Sequence, residues 1–360
     1  MLAWADAFIH VGATFSRMQI PRLDDLLELV NEFCTMEQIK DLLRTGQDNK
    51  DVRLSAANKE ELIYKNLRTA LEVRAVSLDR LIEMVREAEE NGHQRIYYHK
   101  VAPRIAETMT IEAVGPRLWG KNWKSKHQFP LFLSRSTDFT YADFRLLAPN
   151  KKPLDWVLKV YGEYVYEKAT GFVEKKPETG RILREFEVKS KRLVLLARWN
   201  SPDLLEIRVP EDSSTKRVAS WAEMMWTMLG AAINRTLVAP WDLSAIRKRM
   251  IARGPKYKNL YRPRDARMRS KHSNVSLETI NPDGSLFDSE DDSQLVSQAL
   301  SGQSECTYAS IFWLAQKDGL PSEQIHTNIG QTSPNELIFT GQCGPREIDY
   351  VTDKLRFFGR

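Results

Sequence analysis

The chain has 360 residues, of which 42% are hydrophobic and 28% charged, the composition of a folded globular protein rather than a disordered one. That length allows two or three domains, each with its own core. No stretch reaches the roughly 18 consecutive apolar residues of a membrane span, and the net charge of +5 is modest, so no membrane partner is expected.

The N-terminal residues Met1 to His10 are apolar, but they include Asp6 and no basic leader. This is not the pattern of a secretory signal. Met18 offers a second start, so residues 1–19 are predicted to be an N-terminal extension of a protein that is not secreted.

The cysteines Cys34, Cys306 and Cys343 lie far apart and form no C-x-x-C pair. Their odd number argues against a disulfide framework. We therefore predict reduced thiols and a cytoplasmic or nucleic-acid-associated protein.

Residues 20–100 are predicted to form a helical bundle. Apolar residues recur there at helical spacing, beginning with Leu23, Leu26, Leu27, Val30 and Phe33. Ser77 is placed to cap a helix that Asn91-Gly92 would end.

Residues 101–153 are predicted to connect this bundle to a second domain. They combine indoles with cations at Trp119, Lys121, Trp123, Lys124 and Lys126. Such a stretch can be a platform on which bases stack, or its tryptophans can fill the domain junction. Both interpretations remain open from the sequence.

An α/β domain with an antiparallel sheet is predicted over residues 154–272. Strand-like runs are separated by turn residues. These runs are 156–161, 184–189, 193–199 and 204–209, and the last three are expected to form a meander. Residues 212–215 offer a helix cap before an apolar stripe from Val218 to Ile233.

The C-terminal part divides into an acidic loop and a final α/β portion. Residues 273–300 are expected to be the loop, and residues 283–293 have the composition of a disordered segment. Residues 301–360 contain strand-like pieces, 308–314 and 336–340, and a last helix or strand, 347–358. The predicted fold class is therefore α+β, a helical bundle followed by a mixed α/β domain.

Several stretches of residues 20–90 carry a family resemblance. They are Ile20 to Val30, Glu37 to Leu43, Lys59 to Leu67 and Ala75 to Ile82. Residues 20–90 resemble the N-terminal helical domain of the centromere protein N family. This resemblance implies a pyrin-like bundle followed by an α/β domain, in a family that binds chromatin.

The strongest functional signal is a basic segment, residues 247–271, with eleven Lys or Arg residues and the single acid Asp265. Its cations are Arg247, Lys248, Arg249, Arg253, Lys256, Lys258, Arg262, Arg264, Arg267, Arg269 and Lys271. Clustered cations bind the phosphate backbone by releasing counterions, and Tyr257 and Tyr261 are placed to stack on bases. A solvated face, a partner for the acidic loop, and an anionic protein or membrane surface are the alternatives.

A weaker signal is the Glu-x-Lys pattern of Glu187 and Lys189 on a predicted strand. One class of metal-dependent nucleases uses this pattern with an upstream acid, for which Asp155 is the candidate. The histidines show no metal-ligand spacing, and no phosphate-binding glycine loop is found. We therefore predict no cofactor and no bound metal.

The sequence thus predicts a non-catalytic nucleic-acid-binding protein, with duplex DNA as the expected ligand. The basic segment and Lys121, Trp123, Lys124 and Lys126 are the predicted contacts, and the helical bundle is expected to recruit partners. The alternatives are a nuclease that uses Glu187 and Lys189, and an adaptor subunit that binds other proteins.

Overall fold

The computed structural model describes residues 22–126, 138–147, 155–176, 180–230, 232–281, 283–301, 304–317 and 319–360. The protein has the predicted α+β class, with helices and a large antiparallel sheet. It divides into two compact units, Met1–Val76 and Ser77–Arg360. The predicted extension, residues 1–19, lies outside the described residues.

The described part of the first unit is helical. Its elements are α1 (Leu23–Phe33), α2 (Met36–Arg44), α3 (Lys59–Glu61), a π-helix (Leu62–Leu67) and α4 (Arg68–Glu72). Thr35 and Gln38 form a capping box at the start of α2. Leu26 and Leu27, two of the residues at helical spacing, are fully buried.

The predicted helical segment, residues 20–100, extends too far towards the C-terminus. The helix α5 (Leu78–Glu90) belongs to the second unit, and Gln94–Val101 is a strand, β1. The buried ammonium of Lys159 lies 3.0 Å from Glu89 Oε2 and 2.8 Å from Glu90 Oε1. These buried ion pairs hold α5 to the sheet.

The second unit is built on one antiparallel sheet. Its further strands are β2 (Thr140–Leu146), β3 (Trp156–Lys176), β4 (Arg181–Asn200), β5 (Leu204–Pro210), β6 (Val238–Pro240), β7 (Tyr261–Arg269), β8 (Asn274–Glu278), β9 (Glu305–Trp313), β10 (Ile325–Ile329) and β11 (Glu336–Phe339). The strand order is β2-β3-β4-β5-β1-β11-β10-β9-β7-β8, and β6 also pairs with β1. β1 therefore lies between elements that are distant in sequence.

Two of the predicted strands, 184–189 and 193–199, are one continuous strand, β4. The residues between them pair with β3, Ser190 opposite Val165 and Arg192 opposite Glu163. The antiparallel meander is therefore formed by β3, β4 and β5. It is not formed by the three predicted runs 184–189, 193–199 and 204–209.

Helices cover the sheet from both sides. Besides α5, the second unit contains α6 (Pro103–Ala106), α7 (Ile111–Trp119), α8 (Thr215–Leu229), α9 (Ser244–Arg253), α10 (Glu290–Leu300) and α11 (Pro345–Gly359). Side chains of α7 and α8 pack in one core with β3, β4 and β5. Side chains of α9, α10 and α11 pack in a second core with β7, β9, β10 and β11.

The predicted acidic loop, residues 273–300, contains regular structure. Ser289 caps α10 by accepting a bond from the Asp292 amide at 3.0 Å, and Val296 is buried in the core. Glu290, Asp291 and Asp292 occupy the first turn, where carboxylates favour the positive end of the helix dipole. The acids thus start a helix.

Among the described residues, no helix combines the length and apolarity that crossing a membrane requires. None of the three cysteines forms a disulfide, and Cys34 and Cys306 are buried.

Candidate nucleic-acid interface

The basic segment begins on α9, where Arg247 is buried with 1% of its surface exposed. Its guanidinium donates from Nε to the Cys306 carbonyl at 2.8 Å and from Nη1 to the Pro334 carbonyl at 3.0 Å. Nη2 donates to Ser244 Oγ at 2.7 Å. Burial lowers the pKa of Arg247. The prediction that Arg247 contacts a phosphate is therefore wrong, because its donors bind groups within the protein.

Lys248 and Arg249 are half-buried beside it. Lys248 Nζ donates to the Ser304 carbonyl at 2.8 Å, and Arg249 donates to the carbonyl of Phe358 in α11. These bonds join α9 to neighbouring segments, so the first three cations of the basic segment all have a structural role.

The two tyrosines of the segment belong to an aromatic cluster rather than to a surface for bases. Tyr261 is fully buried, and its hydroxyl donates to the Met250 carbonyl at 2.8 Å. Tyr257 stacks on Tyr261 at 6.3 Å and meets Phe358 edge-on at 5.3 Å. The predicted stacking of Tyr261 on a base is therefore wrong.

Three arginines of β7 lie over aromatic side chains of β9. Arg262 and Arg264 each have their Cζ atom 5.8 Å from the centre of the Phe312 ring. Arg267 lies opposite Tyr308 in the sheet, 5.1 Å from the centre of its ring. The register shift between Pro263 and Asp265 allows Arg262 and Arg267, of even and odd number, to share this side.

We call this surface the arginine–aromatic face; it comprises Arg262, Arg264, Arg267, Tyr308, Phe312 and His326. His326 of β10 stacks on Phe312, with ring centres 4.4 Å apart. Its ring nitrogens lie 2.8 Å from Ser310 Oγ and 2.9 Å from Thr340 Oγ1. Burial, and then the neighbouring Arg264, lower the pKa of His326, so this ring is neutral at pH 7.

The guanidinium groups of the face are engaged to different extents, and both Nη atoms of Arg262 have partners within the protein. Arg262 donates to Gln324 Oε1 at 2.9 Å and to the Asp283 carbonyl. Arg264 Nε lies 3.7 Å from Asp265 Oδ2, beyond hydrogen-bond distance, and Arg267 is exposed. A guanidinium that rests on a ring keeps its N–H edge for a bidentate oxyanion.

The remaining cations of the basic segment lie at the two ends of this row. Arg253, the last residue of α9, is exposed, and so are Lys256 and Lys258 beyond it. Arg269 pairs with Glu305 at 2.7 Å, and Lys271 is exposed in the turn between β7 and β8. The segment is therefore not one continuous charged surface, and its accessible part centres on β7.

The second predicted cluster is mainly structural. Trp123 is 7% exposed, and a Cβ atom on Gly115 would lie 2.5 Å from its ring. This close packing corrects the prediction that Trp123 contacts nucleic acid. Lys121 and Lys124 are exposed, while the side chain of Lys126 lies outside the described part of the chain.

The pair predicted for a nuclease is exposed and lacks its acid. Lys189 Nζ lies 3.1 Å from Glu187 Oε2, and both side chains are in solvent. Asp155 accepts a hydrogen bond from the Ser201 amide at 3.0 Å. It directly precedes Trp156, which pairs with Trp199 of β4. Trp199 lies roughly 40 Å along β4 from Glu187. Across the described residues, no three His, Cys, Asp or Glu side chains are grouped to hold a metal.

Neither the protein-family models nor the curated proteins contain a match to this chain. The resemblance of residues 20–90 to the centromere protein N family therefore stays a prediction.

Sequence reasoning missed Tyr308, Phe312 and His326 as members of the site. A strand was predicted from Tyr308, and its alternation already places Tyr308, Ser310 and Phe312 on one side. The signal that was lacking is the pairing of β9 with β7, which brings those rings beneath the arginines.

Proposed function

We propose that the protein binds nucleic acid without catalysis, that its ligand is duplex DNA, and that the arginine–aromatic face contacts the phosphate backbone. The observation that carries this proposal is the row of Arg262, Arg264 and Arg267 on one side of the sheet, each over an aromatic ring. The implied chromatin-binding family agrees with such a ligand.

The dimensions of the row suit a phosphate backbone. From Arg262 to Arg269, β7 extends roughly 23 Å, which corresponds to about seven phosphates of one DNA strand along the helix axis. The exposed Arg253, Lys256, Lys258 and Lys271 extend the positive charge beyond both ends. Asp265 is the acid within the row and reduces its charge locally.

The nuclease alternative has no observation in its favour, because Asp155 and Glu187 lie far apart along the sheet. Binding through phosphates predicts affinity for any sequence, with a strong dependence on salt. Contact with the rings themselves would instead require unstacked bases and favour single strands. The proposal therefore predicts that a duplex binds at least as tightly as a single strand of equal length.

The test is a salt titration of binding to a labelled duplex, measured by fluorescence anisotropy. A triple variant with Arg262→Gln, Arg264→Gln and Arg267→Gln should reduce the slope of log K against log salt by about 2 to 3. The matched control replaces the exposed Arg104, Lys216 and Arg346 with Gln, which removes the same charge elsewhere. An unchanged slope in the face variant, or a slope reduced equally in the control, would overturn the proposed site. Tighter binding of single-stranded DNA or RNA would overturn the choice of duplex.

A further inference from the structure

The strands β3 and β4 continue well beyond the rest of the sheet. The pairing of β2 with β3 reaches Tyr161, and the pairing of β5 with β4 begins at Leu196. Beyond these levels, β3 and β4 pair with each other as far as Lys176 and Arg181. We call residues 163–176 and 181–192 the arm. At the rise of a strand it is roughly 45 Å long.

One side of the arm carries exposed apolar side chains with polar and charged residues between them. The register places Val165 opposite Ser190, Glu167 opposite Val188, Ala169 opposite Phe186, Val173 opposite Arg184 and Lys175 opposite Ile182. Directly opposite residues share a side of a sheet, and so do residues two apart along a strand. The exposed fractions are 48% for Val165, 52% for Val173, 56% for Ile182, 50% for Phe186 and 68% for Val188. These five side chains are the arm stripe.

The other side of the arm is polar. Tyr164 faces Lys191, Tyr166 faces Lys189 and Lys168 faces Glu187. Solvent therefore suits that side, whereas the stripe exposes five apolar side chains on a pair of strands without a core of their own. Such surfaces on folded proteins mark sites of association.

We propose that the arm stripe is a self-association surface on which a second copy of the chain packs, with the two arms antiparallel and face to face. Glu167 and Arg184 lie on the same side of the arm as the stripe, one on each side of the Phe186 level. Relative to Phe186, Glu167 belongs to the cross-strand pair on the side of the main sheet, and Arg184 belongs to the pair on the side of the tip. A twofold axis at the Phe186 level would bring Glu167 of each copy near Arg184 of the other. Isologous interfaces require this self-complementarity.

The area of the stripe sets the strength of the contact. With whole side chains of roughly 150 to 200 Å² each, the exposed fractions correspond to about 450 Å² per copy. Two copies would bury about 900 Å² of the stripe, below the roughly 1,200 Å² at which stable interfaces begin. The expected dimer is therefore weak and reversible.

Sedimentation velocity of the full chain from about 1 µM to about 300 µM tests this, because contacts of this size fall in the micromolar class. The mean mass of the wild-type protein should rise towards twice that of the monomer. Val188→Lys should keep the protein monomeric, while Tyr166→Lys, the control on the polar side, should associate as the wild type does. Circular dichroism checks that both variants are folded.

Exchanging the charges of Glu167 and Arg184 tests whether the arm stripe binds a second copy of the chain. Glu167→Arg and Arg184→Glu should each weaken association about tenfold or more, and the double variant should restore it. A wild-type protein that stays monomeric throughout the range would overturn the proposal. So would association that survives Val188→Lys, or a double variant no stronger than the single ones, because the contact would then lie elsewhere or have another geometry.

Discussion

A Cβ atom on Gly330 would lie 2.3 Å from Nη1 of Arg247. Gly330 follows β10 with a φ of +77°, and the absence of a side chain leaves room for the guanidinium that joins α9 to the carbonyls of Cys306 and Pro334. The burial of one arginine of the basic segment thus depends on a glycine in a distant turn.

Gly330→Ala is therefore expected to destabilise the second unit by about 2 kcal/mol or more, since the positive φ and the overlap with Arg247 both oppose a side chain. Chemical denaturation followed by circular dichroism measures the change. Gly92→Ala is the matched control, because a Cβ there meets nothing within 4 Å. Equal stability of the two variants would show that Arg247 can move away at little cost.

Arg247→Ala separates a structural role from phosphate binding. Loss of its three internal hydrogen bonds should lower the free energy of unfolding by about 3 kcal/mol. The salt slope of DNA binding, measured well below the unfolding transition, should match that of the wild type. A variant of wild-type stability with a shallower slope would return Arg247 to the interface.

His99 predicts how stability depends on pH. Burial lowers its pKa to about 4, and its ring meets Trp226 edge-on at 4.9 Å. The unfolded chain, with a pKa near 6.5, binds a proton between these values while the folded protein does not. The contribution of neutral His99 to the free energy of unfolding should therefore be fully present above pH 6.5. It should decrease as the pH falls towards 4, by up to about 3 kcal/mol.

The measurement is the free energy of unfolding between pH 7.5 and about 4.5, for the wild type and His99→Gln. The difference between the two proteins should change across that window and remain constant above it. A constant difference throughout would mean that His99 titrates alike in the folded and unfolded chain.

The purified protein should not cleave DNA or RNA when Mg²⁺ or Mn²⁺ is added, because the Glu187 and Lys189 pair has no nearby Asp155. Gel electrophoresis of labelled duplex and single-stranded substrates provides the readout. Cleavage that Glu187→Gln abolishes in a folded protein would establish the nuclease instead.

The sequence pattern predicted a helix correctly where its cap and its buried face depend on residues close together in the sequence. Ser214 caps α8 by accepting from the Arg217 amide, within the predicted cap, and the α8 residues Val218 and Met225 are buried as their spacing indicated. The short strand β10 was missed, since its five residues carry too little periodicity to distinguish it from a loop.

The candidate site was predicted only in part because burial of a cation depends on distant chain segments. Nothing in the local sequence distinguishes Arg247, which binds two carbonyls far along the chain, from Arg267, which is exposed. The assignment of residues 94–100 to the helical bundle failed for a related reason. The neighbours β5 and β11 that make β1 a central strand are remote in sequence.

The position of β1 also has a consequence for synthesis of the protein on the ribosome. Arg95 donates a hydrogen bond to Glu336 across the sheet, although the two residues are 241 positions apart in the sequence. When β5 has paired with one edge of β1, the strand for the other edge has not yet been made. The short β6 covers that edge only from His99 to Val101. A nascent chain thus carries an open strand edge until β11 has been made and has left the ribosome, and such edges pair readily with other chains. Chaperone binding at Gln94–Tyr98 should therefore last until Glu336–Phe339 has left the ribosome.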